Sequence, residues 1–509
     1  MDESFRATDL PPELFVHILS FLPNNTLCAC LQASRLLHET IKNSTELQYY
    51  MERNVARVND NPYSPLPAVE RLRMLRARED AFDEMKASWA TSVPVPFPTS
   101  GLYEVSAGFF FLGELQRQAL RYLELPSKIL GPPPQWGSIP TPNPASVIID
   151  FGLAIEEHDL VAMATMTPTG RVVDEVPEGL INLELLTMSE PHAPHPQARG
   201  AIEIHTSIWG LPSIILEIVG DYLVFVEGYR YRRFGSEPPP NDHVYVFEWK
   251  TGKLRMRIEA DSGTYFAAVF VSPDVLLLPN TITAALELWT IPPATQDTEP
   301  EPALTLHLPR LVPGQRIRLI SARGEPNPSV YAPRRPARLP FQSAPEESII
   351  VFHLNFLSAQ FLLFTHRRAL LALLRAHEPG DAVGYAEWGP DVCRWIDAAG
   401  MNMDWITTTA GQRCVLILDR PISPFFVLDF NAGTARGVGR RTMDPDEDPF
   451  GHHGIWAEAV GSRLKCHIRR GQQEFSVYDG VSLDEERLIA LRRNPVRQIG
   501  AVDLFYFGG

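Results

Sequence analysis

From about residue 100 the chain is written in short β-prone runs that come in fours, and this constrains its fold more than any other feature. Residues 214–219, 222–227, 244–249 and 254–258 read as successive strands, with Gly220-Asp221 and Lys250-Thr251-Gly252-Lys253 turning between neighbours. The next group, 266–271, 275–278, 286–291 and 304–308, repeats the plan, and Trp249 returns as Trp289. Four short strands recurring about every 40 residues match the period of a propeller blade. Echoes lie at 183–186 and at 426–430, the latter followed by Asn431-Ala432-Gly433-Thr434. A rival all-β reading, two stacked sandwiches, accounts for the turns but not for the recurrence. The repeats are degenerate, and the roughly 410 residues available allow six to eight blades.

At 509 residues the chain is too long for one ordinary domain, and 45% hydrophobic with 21% charged residues is a globular composition. A net charge of −15 argues against a general binder of nucleic acid or anionic membrane, which needs concentrated Lys and Arg. Local basic clusters, Arg230, Arg232 and Arg233, or Arg334, Arg335 and Arg338, are candidate acidic-peptide sites or solvated loops. Cys28, Cys30, Cys393, Cys414 and Cys466 form neither a disulfide framework nor a zinc pattern. The N-terminus lacks a signal-peptide pattern, and the apolar stretch 361–374 is interrupted by His366, Arg367 and Arg368. The expectation is a soluble protein of the cytosol or nucleus.

The N-terminal residues have a different texture. Pro12 suits a first helical turn, and Asp9 and Glu13 place negative charge at the positive end of that helix. Leu14, Phe15, Ile18, Leu19 and Leu22 make a broad apolar stripe at helical period, closed by Pro23-Asn24-Asn25. Three more short helices follow, carrying Leu27, Cys30 and Leu31, then Leu36, Leu37 and Ile41, then Leu47, Tyr50 and Met51. So small a unit has more large apolar residues than it can bury, so part of its surface is expected to close on another protein.

These residues resemble an F-box. The pattern of Leu-Pro, apolar residues every three or four, a loop and a run ending in Ala-Ser-Arg is met by Leu10, Pro11, Leu14, Ile18, Leu22, Leu27, Leu31, Ala33, Ser34 and Arg35. The resemblance implies docking on a Skp adaptor, and through it on a cullin-RING ligase, by Leu10, Pro11, Leu14, Ile18, Leu22, Leu27 and Leu31. The β region resembles a degenerate WD-repeat propeller that lacks full Gly-His and Trp-Asp signatures. Fragments at 190–196, 387–390, 394–395, 407–413 and 428–431 make the whole layout similar to fungal F-box proteins of the basidiomycete type.

The resulting expectation is a multidomain α + β chain: an F-box helical domain over 5–52, a helical connector over 53–95 and a mostly-β, propeller-like domain over 100–509. The connector carries Val69, Leu72, Leu75 and Phe82 at helical spacing among Arg71, Arg73, Arg76, Arg78, Glu79 and Asp80, as a bridge or as a helix packed on the next domain. Proline-rich insertions at 132–134, 238–240, 292–302 and 326–345 read as surface loops at blade edges.

Common nucleotide, hydrolase and zinc-protease motifs are absent from the sequence. Residues 444–448 imitate a calcium loop, but Pro449 replaces the turn glycine and Ile455 the bidentate glutamate. His192 and His195, and His452 and His453, read as loop histidines. Expected cofactors and metal sites are none, and the chain is not expected to be an enzyme. Tyr229, Tyr231, Arg232 and Arg233 form a candidate target-binding hot spot. The reading is a substrate-recognition adaptor of an SCF-type ubiquitin ligase for an unidentified target. The alternative is a ligase-independent scaffold or a propeller enzyme, the latter requiring a charge-lined axial pocket with perturbed carboxylates or histidines.

Overall fold

The computed structural model describes residues 10–127, 134–173, 175–230, 238–293, 300–331, 339–403, 405–418, 425–431, 441–443, 454–471 and 478–509. The N-terminal unit is four helices, α1 (Pro12–Ser20), α2 (Asn24–Ala33), α3 (Arg35–Asn43) and α4 (Thr45–Ala56). Their boundaries follow local chemistry. Pro12 lies in the first turn of α1, and the Ser34 and Ser44 hydroxyls accept the N–H groups of Leu37 and Leu47 to cap α3 and α4. Leu19, Leu27, Ile41 and Leu47 form the core of the unit.

Seven sheets of mainly antiparallel strands follow, and they make a seven-bladed propeller. Blade 1 spans Thr99–Ser106 to Trp136–Pro140, blade 2 Val147–Ala154 to Ile202–Ser207 and blade 3 Ser213–Val219 to Lys253–Ala260. Blade 4 runs from Val269–Ser272 to Leu304–His307 and gains Asp381–Val383 as a parallel edge strand. Blade 5 runs from Leu319–Arg323 to Cys393–Asp397, and blade 6 from Thr409–Ala410 to Cys466–Arg470 with Arg441–Met443 outside it. Blade 7 takes Gly480–Leu483, Arg487–Arg493 and Ile499–Tyr506, and its outer strand is Trp89–Pro94. That strand falls within the segment assigned from sequence to the connector. Only six β-prone residues lie there, too few to show a four-strand recurrence.

The ring is closed by packing as well as by pairing. Each gap between adjacent blades holds its own hydrophobic cluster, seven clusters for seven gaps. Trp249 lies in the gap between blades 2 and 3 and Trp289 in the next, so the recurrent tryptophan marks blade-to-blade packing. The strands expected in blades 3 and 4 are present, and 183–186 and 426–430 fall on the third strands of blades 2 and 6. The recurrent fragments at 387–395 and 407–413 place Trp388, Trp395, Thr407, Thr408 and Thr409 in buried positions.

Helix α5 (Ala68–Glu84) joins the two units. Leu72 and Leu75 pack with Tyr49 of α4, Val58 and Phe341, whereas Phe82 enters the cluster between blades 6 and 7 and stacks on Phe507 at 4.6 Å. Its charges are also engaged: Glu79 pairs with Arg413, Asp83 with Arg469 at 2.5 Å, and Arg78 with Glu485 at 3.3 Å. Burial pushes the Glu79 carboxyl up, but Arg413 and Arg78 outweigh it and hold it below its usual range. Α5 is therefore both a bridge and a packed helix.

One insertion departs from its expected place. The described residues of segment 326–345 are not at a blade edge: Phe341–Ser343 pairs antiparallel with Val58–Asp60, directly after the helical unit, and residues 326–331 turn in over the propeller axis. The reason is polar. Glu157 accepts the N–H groups of Val330 and Tyr331, and Tyr331 donates its hydroxyl to Asp221.

Candidate functional site

Helix α1 has two apolar faces. Phe15, Leu19 and Leu22 turn into the helical core, while Pro11, Leu14, Ile18 and Phe21 lie along the outer side. Leu14 is 51% exposed, Ile18 49% and Phe21 74%. Their spacing, i, i+3, i+7 and i+10, is one continuous stripe on a helix. Among the described residues nothing covers it, and the inner face of α1 already fills the small core.

The sequence-predicted adaptor residues divide accordingly. Pro11, Leu14 and Ile18 are exposed on the ridge, Leu10 is half-buried just before it, and Leu22 and Leu31 are half-buried against the helical core. Leu27 is fully buried, packed in the core that supports α1. Phe21, the most exposed of the ridge side chains, was not among the predicted residues, although its position three after Ile18 carried the signal.

Of the candidate target-binding cluster, only Tyr229 lies among the described residues. Tyr229 is buried, its hydroxyl donating to Glu227 and lying 2.7 Å from the Ser207 hydroxyl, and so serves blade packing. Tyr231, Arg232 and Arg233 lie outside the described residues, as do Arg334, Arg335, Arg338, residues 444–448, His452 and His453. Arg230 stands over the Phe266 ring. His195 is buried against the carbonyl of His158, and His192 is exposed.

A second site, absent from the sequence reading, lies on the propeller axis. The first strands of blades 1, 2, 3, 5, 6 and 7 all contribute to a cavity of about 540 Å³, and Asn59, Pro62 and Tyr63 of the linker line its rim. Its wall carries eight carboxylates, Glu104, Glu156, Glu157, Glu217, Glu325, Asp484, Glu485 and Glu486, against two guanidinium groups, Arg323 and Arg487.

Seven of these carboxylates are occupied. Arg323 bridges Glu104 and Glu217, and Asn327 donates to the second oxygen of Glu217. Glu156 accepts from Gln342, Glu157 from three backbone N–H groups and Glu485 from Ser343 and Arg78. Asp484 pairs with Arg487, and Glu486 accepts from Tyr506. Glu325 is the exception: among the described residues its carboxyl has no hydrogen bond and no ion pair. Its backbone is nevertheless fixed, because the buried Arg367 donates to the carbonyls of Gly324 and Pro326 on either side.

The electrostatics follow from this imbalance. Burial, with Glu217 close by, pushes the Glu325 carboxyl up to about 8, against the opposing pull of Arg323 and Arg367. Burial also raises Glu217, and it raises Asp150, just behind the wall, to about 7. Burial works against the charge of Arg323, but Glu104 and Glu217 hold it protonated. Among the described residues no cluster of His, Cys, Asp and Glu is arranged to hold a metal ion. No described helix is long and apolar enough to cross a membrane.

Residues 7–47 match the F-box-like family model. Over the propeller the chain is similar to the WD40 domain of Toxoplasma gondii coronin, at 8% identity and a TM-score of 0.40, covering 83% of this chain and 87% of that one. It is also similar to BamB from Moraxella catarrhalis, at 10% identity and a TM-score of 0.36, covering 82% and 98%. A search of curated proteins returns no significant match.

Proposed function

We propose that this chain is the substrate-recognition subunit of an SCF-type ubiquitin ligase, the helical unit binding a Skp adaptor and the propeller holding a target protein. The observation that carries the reading is the uncovered ridge of Pro11, Leu14, Ile18 and Phe21, which lies within or beside an F-box-like segment and has the form of a helix awaiting a groove. Of the other adaptor-binding candidates, Leu10 adjoins the ridge, Leu22 and Leu31 pack against the helical core, and Leu27 acts from beneath by holding α1 in place. The bridge through α5 supports the same reading, since a rigid link holds a captured target at a constant position relative to the ligase.

The charge-lined axis is the feature an enzyme would require. Seven of its eight carboxylates serve to hold Arg323, Arg487 and the 326–343 segment, and so the propeller is read as a recognition module. The five free cysteines fit a cytosolic or nuclear protein. The fragments at 190–196 and 428–431 support the fungal group. The test is co-purification of the full chain with a Skp adaptor: capture is expected, with loss in Leu10→Ala plus Pro11→Ala. Undiminished capture by that variant would remove the ligase reading.

A further inference from the structure

We propose that the axial cavity binds an organic cation, the guanidinium or ammonium head of a basic side chain presented by the target, with Glu325 as its partner. The inference rests on the reading of the propeller as the target-binding part and names the chemistry it selects.

Three observations converge. The cavity has an unspent acceptor. Every other wall carboxylate has a donor within the fold, whereas Glu325, half-buried in the cavity lining, pairs with nothing described. A carboxyl in that setting is costly unless something supplies a positive charge or a proton. Its backbone is held by Arg367, so the acceptor is preorganised.

The wall also shows which charge it accepts. Arg323 already spans Glu104 and Glu217 in the two-armed manner that carboxylate pairs offer a planar guanidinium. With eight acidic and two basic groups among the described wall residues, the field they make inside the cavity favours a cation over a neutral or anionic ligand.

The shape, finally, favours a long side chain over a compact ion. Between the carboxylates the lining is mixed: Leu153 and the edges of Val105, Phe151, Ile155, Leu216 and Ile218, which otherwise pack in the gaps between blades, stand beside Ser106, Asn327, Ser343 and Thr409. Lys and Arg combine a methylene stem with a charged head, and such a wall accommodates both. Exposed Tyr63, Val330 and Tyr331 stand at the mouth, where the backbone of a bound segment would lie.

The test uses the full chain and calorimetric titration with acetyl-Gly-Arg-Gly-amide, the lysine equivalent, the citrulline equivalent as neutral isostere, and spermidine. The expected result is saturable binding of the arginine or lysine peptide, at least tenfold weaker binding of the citrulline peptide, and at least a tenfold loss in Glu325→Gln with retention in Glu325→Asp. Thermal melting of each variant establishes that it is folded. Equal binding of the citrulline peptide, an unchanged affinity in folded Glu325→Gln, or no binding of any cation would overturn the proposal. Binding of spermidine without the peptides would overturn its side-chain form and assign the cavity to a free polyamine. Skp capture is measured on the same preparations, so failure of the ligase reading shows as lost capture with cation binding intact.

Discussion

Truncating the outer ridge of α1 separates partner contact from folding. Full burial of a Leu or Ile side chain stabilises by about 1.5–3 kcal/mol. Leu14 and Ile18 have already buried half of their surface in the free chain, leaving about 1 kcal/mol each for a partner to gain. The double variant Leu14→Ala plus Ile18→Ala is therefore expected to weaken Skp binding by about 2 kcal/mol, or about 30-fold. It should leave the melting temperature near that of the parent, because neither side chain belongs to the helical core. Leu27→Ala should do the reverse in mechanism: it opens a cavity at a fully buried site and costs about 2.7–5 kcal/mol of stability in a unit with few other core residues. Calorimetry with purified Skp adaptor and a circular-dichroism melt measure the two quantities. Unchanged affinity in the double variant, or a melt depressed as far as that of Leu27→Ala, would refute the two-face assignment of α1.

Three further outcomes are expected. Phe507→Ala removes the stack on Phe82 and should cost about 3–5 kcal/mol, with faster hydrogen exchange across 68–84 as α5 loosens from blades 6 and 7. Arg413→Met leaves Glu79 and Asp429 in buried surroundings with fewer counter-charges, a loss of about 3–5 kcal/mol by urea unfolding that the double variant with Glu79→Met should partly recover. Glu325 faces Glu104, Glu217, Arg323 and Arg367, and its folded value of about 8 lies above the ordinary 4.5, so the fold holds the proton more tightly than the unfolded chain does. Stability from this group is full below pH 4.5 and declines as pH rises through 8. The urea midpoints of Glu325→Gln and parent should therefore coincide at pH 4.5, with the variant ahead at pH 8.5.

Legibility in the sequence followed the range of the interactions. The helices, their Pro and Ser starts and the strands of blades 3 and 4 are set by neighbours a few residues apart, and each was readable. Phe21 is equally local, but a stripe that runs through Leu22, which faces inward, does not include it. The closing strand Trp89–Pro94 takes its partner from 499–506, some 400 residues away, and its identity is decided by pairing that no nearby pattern records.

The axial cavity was the least legible part, and the reason lies in the geometry of a propeller. Each blade gives the axis only its first strand, so Glu104, Glu217 and Arg323 meet in space while lying more than 100 residues apart in the chain. No spacing rule detects such a set. A weaker signal was present: Glu217 interrupts the apolar run 214–219, and a carboxylate inside a buried strand must face either a counter-charge or a solvent-filled space. On the axis of a ring it faces both. Degeneracy of the outer strands thus leaves the fold intact, because seven clusters hold the gaps. Recognition is free to reside in the few inward residues that packing does not constrain, and of these Glu325 is the one that the rest of the wall leaves unpaired.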